Sequence, residues 1–429
     1  ADADLNALIE QAMDENFTLR VAWARLDQAR ATAAKSGAGR WPSLGGNAEG
    51  GRRLTETRTG GTGVRRYGTT YGLGLAASYE VDLWGRVKSA HDAARLDTDA
   101  SAADLRAAAM TLSADIARVW FTLCERRAQL GIASEQIQVN EDSLSAIAQR
   151  FRQGQAVASD VLQQRQLVAA NRGTRIQLDA EVDVLVHQLA VLTGQPPTVA
   201  VAPGRETLPE LPPLPELGIP LERLGSRPDL RAAAARVRAA DRRVASALAD
   251  RFPRLSLTAQ TETSAEQVRD LFENWLVNVA ANAVVPILDG GQRRAEVRRT
   301  EAVAVEAVSN FGQAWLSALR EVEDALTLES GQAKYLDSLS QQLALSNAAT
   351  ERIRARYMQT GNDFVRYLST LVSNQDLQRR CLTAQRQLLE ERIDLYRAVG
   401  SGWELVRPGA RRAEPTTPGP DAKGLEDVP

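Results

Sequence analysis

The chain repeats itself, and that constrains its fold more than any local pattern does. Leu19 stands 211 positions before Leu230, and Trp41-Pro42-Ser43-Leu44 stands the same distance before Phe252-Pro253-Arg254-Leu255. Further on, Phe151 matches Tyr357, Leu162 matches Leu368 and Gly194 matches Gly400, all at a spacing of 206. The smaller spacing means that the first copy carries about five extra residues, assigned to a longer loop in the Gly/Thr/Arg-rich stretch Gly50 to Arg66. The 429 residues are thus two copies of one unit, residues 1–213 and 214–403, followed by a Pro- and charge-rich tail over 404–429 expected to be disordered. Six prolines between Pro203 and Pro220 read as a stiff, extended linker between the copies.

Each copy opens with a helix. Leu230, Ala233, Val237, Ala240, Val244 and Ala247 recur at three- and four-residue steps, and Pro253 (Pro42 in the first copy) stops it. Then the period changes to two. Tyr67, Tyr71, Leu73, Leu75, Ala77, Tyr79, Val81 and Leu83 alternate with Gly68, Gly72, Gly74, Ala76, Ser78 and Glu80. The expected strands are 44–51 and 67–83 in the first copy, and 255–263 and 275–287 in the second. An ordinary half-buried sheet also alternates. Here, however, the less apolar face is Gly, Ser, Thr and Asn, as in a water-filled lumen, and aromatics sit towards the strand ends, as in outer-membrane barrels. If these are membrane strands, four cannot close a barrel, and open edges are not tolerated in lipid, so several chains must share one.

Two long helical hairpins follow, over residues 87–194 and 293–400. Val87 to Phe151 contains no proline, and at helical rise it would run to ~100 Å. Composition excludes several alternatives. Basic and acidic residues number 52 and 54, which disfavours nucleic-acid binding. Two cysteines and two histidines leave no metal-ligand set or disulfide scaffold. No run of 18 apolar residues predicts a membrane helix, and Ala1 is not preceded by a leader, so any signal peptide is expected to lie outside this chain.

Several segments, taken together and in order, resemble the TolC-like outer-membrane efflux proteins. They are Tyr79-Glu-Val-Asp-Leu-Trp-Gly-Arg86, Pro286-Ile-Leu-Asp-Gly-Gly-Gln-Arg-Arg-Ala295, Arg227-Pro-Asp-Leu230, Arg150-Phe151-x-x-Gly154 with Asp160-Val-Leu162, and Leu395-Tyr-Arg-Ala-Val-Gly400 with Trp403. The similarity spans Leu5 to Trp403 and is nearest the lipoprotein branch serving resistance-nodulation-division pumps. It implies an α+β membrane protein: a homotrimer with a twelve-stranded β-barrel, four strands per chain, continued by a twelve-helix α-barrel with a mixed equatorial domain. It further implies a passive exit duct from the periplasm, without cofactor or reaction, whose partners are a periplasmic membrane-fusion adaptor, an inner-membrane pump and outer-membrane lipid. The branch's lipidated cysteine would lie ahead of Ala1.

The resemblance places a periplasmic gate at the hairpin tips. Arg366 falls where a gate aspartate often lies and Ser369 where a second acid can lie, so the double-acid constriction is not kept. The expected gate is Arg366, Val365 and Ser369, with Asp363 as charge partner and Asp160 as the acid of the first copy. The alternative is that Arg366 is only a solvated helix residue. Expected adaptor contacts are Arg150, Phe151, Gly154, Arg356, Tyr357, Thr360 and Gly361, and expected membrane-facing aromatics are Tyr67, Tyr71, Tyr79 and Trp275. Counted from their turns, Cys124 and Cys381 differ in height by ~15 Å at helical rise, beyond the ~7 Å a disulfide spans, so free thiols are expected. His91 and His187 lack ligand partners, and Trp23, Trp120 and Trp315 read as packing residues. Competing readings are a type I protein-secretion duct, a periplasmic coiled-coil adaptor or scaffold, and an enzyme; no nucleophile and base arrangement supports the last.

Overall fold

The structure, a computed structural model, describes residues 2–59, 62–198, 207–209, 211, 224–360 and 363–400. The linker expected over 203–220 lies almost wholly, and the tail with Trp403 wholly, outside the described residues. In chain order the elements are α1 (Ala3–Glu15), α2 (Phe17–Ala38), β1 (Ser43–Thr59), β2 (Thr62–Val81), α3 (Arg86–Arg152), α4 (Ala158–Leu192), α5 (Pro228–Ala249), β3 (Arg254–Ala265), a short 3₁₀ turn, β4 (Leu276–Val284), α6 (Gln292–Thr360) and α7 (Phe364–Val399). Helix, hairpin, long helix and returning helix thus occur twice. The chain divides into two compact units, one of Trp23–Asp104 with Asp229–Trp315, the other of Ala1–Ala22, Leu105–Pro228 and Leu316–Pro429.

The first unit holds one antiparallel sheet in the order β1-β2-β3-β4. Its strands differ from expectation in two places. The stretch expected as a loop after Gly50 is strand: the β1–β2 ladder runs unbroken to Thr59 opposite Thr62. Thr55 and Thr57 favour extended backbone, and the ladder bonds continue where apolar alternation stops. β4 is shorter than expected, because Pro286 has no N–H to give a ladder. At its other end the β3–β4 ladder begins at Leu276 opposite Glu262, so Trp275 precedes the strand, and its indole donates to the Phe272 carbonyl at 3.2 Å.

Where strand becomes helix, the two copies use the same device. The Asp82 carboxylate accepts the Lys88 N–H (2.7 Å) to open α3, and Asp289 accepts those of Gly291 (3.0 Å) and Arg293 (3.3 Å) to open α6. These acids satisfy N–H groups that a helix start leaves without partners. Gly85, Gly290 and Gly291 take the positive φ that the reversal requires. The motifs Asp82-x-x-Gly85 and Asp289-Gly-Gly291 are therefore helix-starting turns.

The second unit holds most of the two hairpins. Its core includes Ile147, Val161, Tyr357, Phe364, Tyr367 and Leu371 near the turns, and Leu339, Leu377 and Ala384 farther along. Polar side chains interrupt this core and are paired: Asn171 donates to Gln375 (3.3 Å), Gln164 to the Asn140 carbonyl (3.0 Å), and Arg392 bonds Glu329 (2.5 Å) with both nearly excluded from solvent. Such pairs restrict helix register, since a shifted helix would strand a buried polar group. Trp120 is fully buried and donates to Asp2 at 3.2 Å. No disulfide joins Cys124 and Cys381.

Candidate functional site

Two features carry chemistry, one in each unit. In the sheet, side chains of directly opposed residues share a face, so the register sorts every strand position. Tyr79 pairs with Leu257 and Leu257 with Ala281; Leu75 pairs with Gly46 and Thr261, and Thr261 with Val277. One face consequently reads Leu44, Ala48, Tyr67, Tyr71, Leu73, Leu75, Tyr79, Val81, Leu255, Leu257, Val277 and Val279 across all four strands. Val279 is 77% and Leu44 73% exposed, an apolar surface that this chain does not cover. The opposite face carries Asn47, Glu49, Gly72, Gly74, Ser78, Ser256, Gln260, Glu262, Asn278 and Asn282, with Leu276 and Val284 only at the two ends of β4. A Cβ on Gly74 would come within 2.5 Å of Asn47 Oδ1, and one on Gly72 within 2.9 Å of Glu49 Cγ. These glycines leave room for the polar groups beside them. A surface apolar on one side and small and polar on the other suits lipid against water. Tyr67, Tyr71 and Tyr79 lie on the apolar face, whereas Trp275 falls one residue outside β4.

At the far ends of the hairpins, the turns between α3 and α4 and between α6 and α7 border one cavity of about 810 Å³. Gly154, Val157 and Asp160 line it from one turn, and Asp363, Val365, Arg366 and Ser369 from the other. All five expected gate residues therefore meet at one cavity. The expected pairing of Arg366 with Asp363 is not made; no ion pair within 4.0 Å joins them. Both are exposed, and attraction of about 1 kcal/mol in water at such a distance does not fix two mobile side chains. Asp363 has φ 69°, the one positive value outside glycine among the described residues. Ser369 turns its hydroxyl onto the Arg366 carbonyl at 3.0 Å. Val157, which sequence reasoning missed, is 60% exposed at the cavity; its place opposite Asp363 depends on how the turns meet.

The expected adaptor contacts divide in two. Phe151, Gly154, Arg356 and Thr360 are exposed, and Gly361 lies outside the described residues. Tyr357, by contrast, is 1% exposed. Its ring stacks on Tyr367 (centroids 5.6 Å, interplanar 6°) and leans on Phe364 at 5.5 Å. Arg150 turns inward as well: Nη1 donates to the carbonyls of Tyr357 (2.8 Å) and Met358 (3.1 Å), and the guanidinium lies 5.2 Å from the Tyr357 ring centroid. It thereby satisfies carbonyls in the last turn of α6 and places positive charge at that helix's negative end. Arg150 and Tyr357 tie one hairpin to the other and leave the outer surface of the tip to their neighbours. Burial, then the charge of Asp160, raises the Tyr357 phenol above its ordinary value. The Phe364-x-x-Tyr367 spacing was the signal for this aromatic cluster, since residues three apart share a helix face.

Among the described residues no group of His, Cys, Asp and Glu could hold a metal ion, and no helix is long and apolar enough to cross a membrane. A two-faced sheet joined to long paired helices defines the class: a strand-built membrane channel extended by helices. The outer membrane efflux protein family matches residues 8–195 and 220–401, and the chain belongs to that family. It resembles the pyoverdine export outer membrane protein OpmQ of Pseudomonas aeruginosa (29% identity, covering 96% of this chain and 88% of OpmQ). It also resembles the outer membrane protein OprJ of the same species (30%, covering 95% and 86%). The solved outer-membrane channel OprN superposes with a TM-score of 0.87 at 29% identity, covering 94% of this chain and 91% of that one. The chain is thus an outer-membrane efflux channel protein, and the α+β fold and internal repeat agree with that family.

Proposed function

We propose that three copies of this chain close a twelve-stranded barrel and a twelve-helix tube, forming a passive duct for small molecules such as drugs or metal ions. A periplasmic membrane-fusion adaptor and an inner-membrane pump of the resistance-nodulation-division type deliver the cargo, and the duct performs no reaction of its own. The observation that carries this reading is the sheet. Its apolar face is uncovered, its other face is small and polar, and β1 and β4 each lack a partner on one side among the described residues. Unpaired edges cannot stand in hydrocarbon, and a closed barrel removes them. In the same reading the cavity residues Asp160, Asp363, Val365, Arg366 and Ser369 form the periplasmic constriction. Phe151, Gly154, Arg356, Thr360 and Gly361 then offer the adaptor its surface, positioned from within by Arg150 and Tyr357.

The test is extraction from outer-membrane fractions and electrophoresis with and without heating. A detergent-dependent, heat-sensitive trimer is expected. Recovery as a soluble monomer without detergent overturns the shared barrel.

A further inference from the structure

The β1–β2 hairpin outreaches the rest of the sheet. Pairing between β2 and β3 begins only at Tyr71 opposite Ala265, whereas β1 and β2 stay paired out to Thr59 opposite Thr62. Residues 51–59 and 62–70 therefore form a two-stranded arm. The long helices α3 and α6 leave from the other end of the sheet, after Val81 and Val284, and α2 and α5 enter there too. The arm thus projects on the side away from the helices, which is the cell exterior in an outer-membrane channel.

The arm is rich in arginine. Register places Arg52, Leu54, Glu56 and Arg58 of β1 on the same face as Arg65 and Tyr67 of β2, continuing the apolar face beyond Tyr71. Arg53 and Arg66 lie on the opposite face. The Arg52 guanidinium sits 5.3 Å from the Tyr67 ring centroid, which holds it beside the outermost tyrosine. Glu56 touches Arg58 at 3.3 Å and Arg65 at 3.4 Å, in each case through Nε. One carboxylate cannot neutralise two guanidinium groups, and among the described residues the terminal nitrogens of both make no hydrogen bond. Arg58 and Arg65 are 81% and 65% exposed.

Aromatic residues on a barrel's outer face mark the level where hydrocarbon meets headgroups. At about 3.4 Å per residue, Arg52 stands ~7 Å beyond Tyr71 and Arg58 ~27 Å beyond it. We infer that Arg52, Arg58 and Arg65 bind the phosphates of anionic glycolipid headgroups in the outer leaflet. The planar guanidinium fork matches phosphate oxygens two at a time; Arg52 lies at headgroup level near Tyr71, and Arg65 and Arg58, ~14 and ~20 Å farther out along the arm, face phosphates carried on the glycolipid's extended head. This rests on the strands spanning the outer membrane.

The experiment uses the full chain purified from outer membranes, exchanged into detergent and examined by native mass spectrometry with added phosphorylated glycolipid. Wild type is expected to retain the phosphorylated form and not the same glycolipid after enzymatic dephosphorylation. The triple variant R52Q/R58Q/R65Q should lose affinity on the order of a hundredfold, about fivefold per arginine, while R53Q/R66Q on the other face changes it little. Equal retention of the dephosphorylated glycolipid, or undiminished binding by the triple variant, overturns the inference. Full displacement by millimolar inorganic phosphate would show a free-anion site and overturn the lipid assignment. The dephosphorylation arm needs no variant, so it decides the matter even if the triple variant fails to assemble. Absence of wild-type protein from outer membranes would instead be a failure of the barrel reading.

Discussion

Asn16 and Arg227 stand at equivalent positions in the two repeats and make the same bond with different chemistry. Asn16 Nδ2 donates to the Leu192 carbonyl at 2.8 Å, and Arg227 Nη1 donates to the Ala398 carbonyl at 2.9 Å. Each closes the C-terminal end of a returning helix beside a glycine of positive φ, Gly194 or Gly400. A Cβ on Gly194 would stand 2.5 Å from the Glu15 carbonyl oxygen, and one on Gly400 2.6 Å from Arg227 Cγ. The glycines let the chain approach closely enough for the bond to form.

Arg227 also pairs with Glu321 at 2.8 Å and is almost fully buried. Arg227→Ala should therefore cost about 1–3 kcal/mol and Asn16→Ala about 1 kcal/mol, because each leaves a carbonyl without its donor and the first also strips a carboxylate. Thermal dissociation of the detergent-solubilised protein checks the order. A larger loss for Asn16→Ala would contradict it.

The two faces of the sheet should tolerate charge unequally. Val279 lies mid-strand on the apolar face and Asn278 beside it on the polar face. Val279→Arg should cost about 2–4 kcal/mol as a lipid-facing charge, and Asn278→Arg much less. Yield of folded protein in outer-membrane fractions measures the difference; equal yields would count against lipid on the first face.

Arg366 should set ion selectivity if the cavity at the tips is the constriction. Arg366→Ala is expected to raise single-channel conductance and shift selectivity towards cations, since positive charge repels them from a narrow passage. Unchanged conductance and selectivity would leave Arg366 as a solvated helix residue.

Tyr357 gives the tip a pH dependence of known sign. Its phenol is raised in the folded protein, so the unfolded chain releases the proton first, near pH ~10. The contribution is fully present below that value and is lost as pH rises through the folded one. Hydrogen exchange in α7 should therefore accelerate between about pH 9 and 11 in wild type and less in Tyr357→Phe. The buried Tyr357 hydroxyl has no hydrogen-bond partner among the described residues, so the phenylalanine variant should be no less stable at neutral pH. Identical pH profiles would refute the assignment.

The repeat, the long helices and the strand faces were legible because each leaves a period or a breaker in the chain. Pro42, Pro253 and Gly194 punctuate it, and Leu73, Leu75 and Ala77 alternate with small residues. The outer half of β1 was not legible, because Arg52, Arg53 and Glu56 break the apolar alternation while backbone bonds hold the ladder. Equivalence of Asn16 and Arg227 was hidden by their different residue types, since only a shared bond relates them. Tyr357 read as surface because it stands at a helix end; its burial comes from Phe364 and Tyr367 across the turn.

The two bare edges of the sheet also have a genetic consequence. In the proposed trimer, β1 of each copy can complete its hydrogen bonding only against β4 of a neighbour, so a chain with a ruined β4 damages an assembly it joins. If faulty and sound chains are made in equal amounts and mix freely, only about one assembly in eight contains sound chains alone. Lesions confined to β1 or β4 should then act dominantly, whereas those that prevent a chain from folding at all should be recessive.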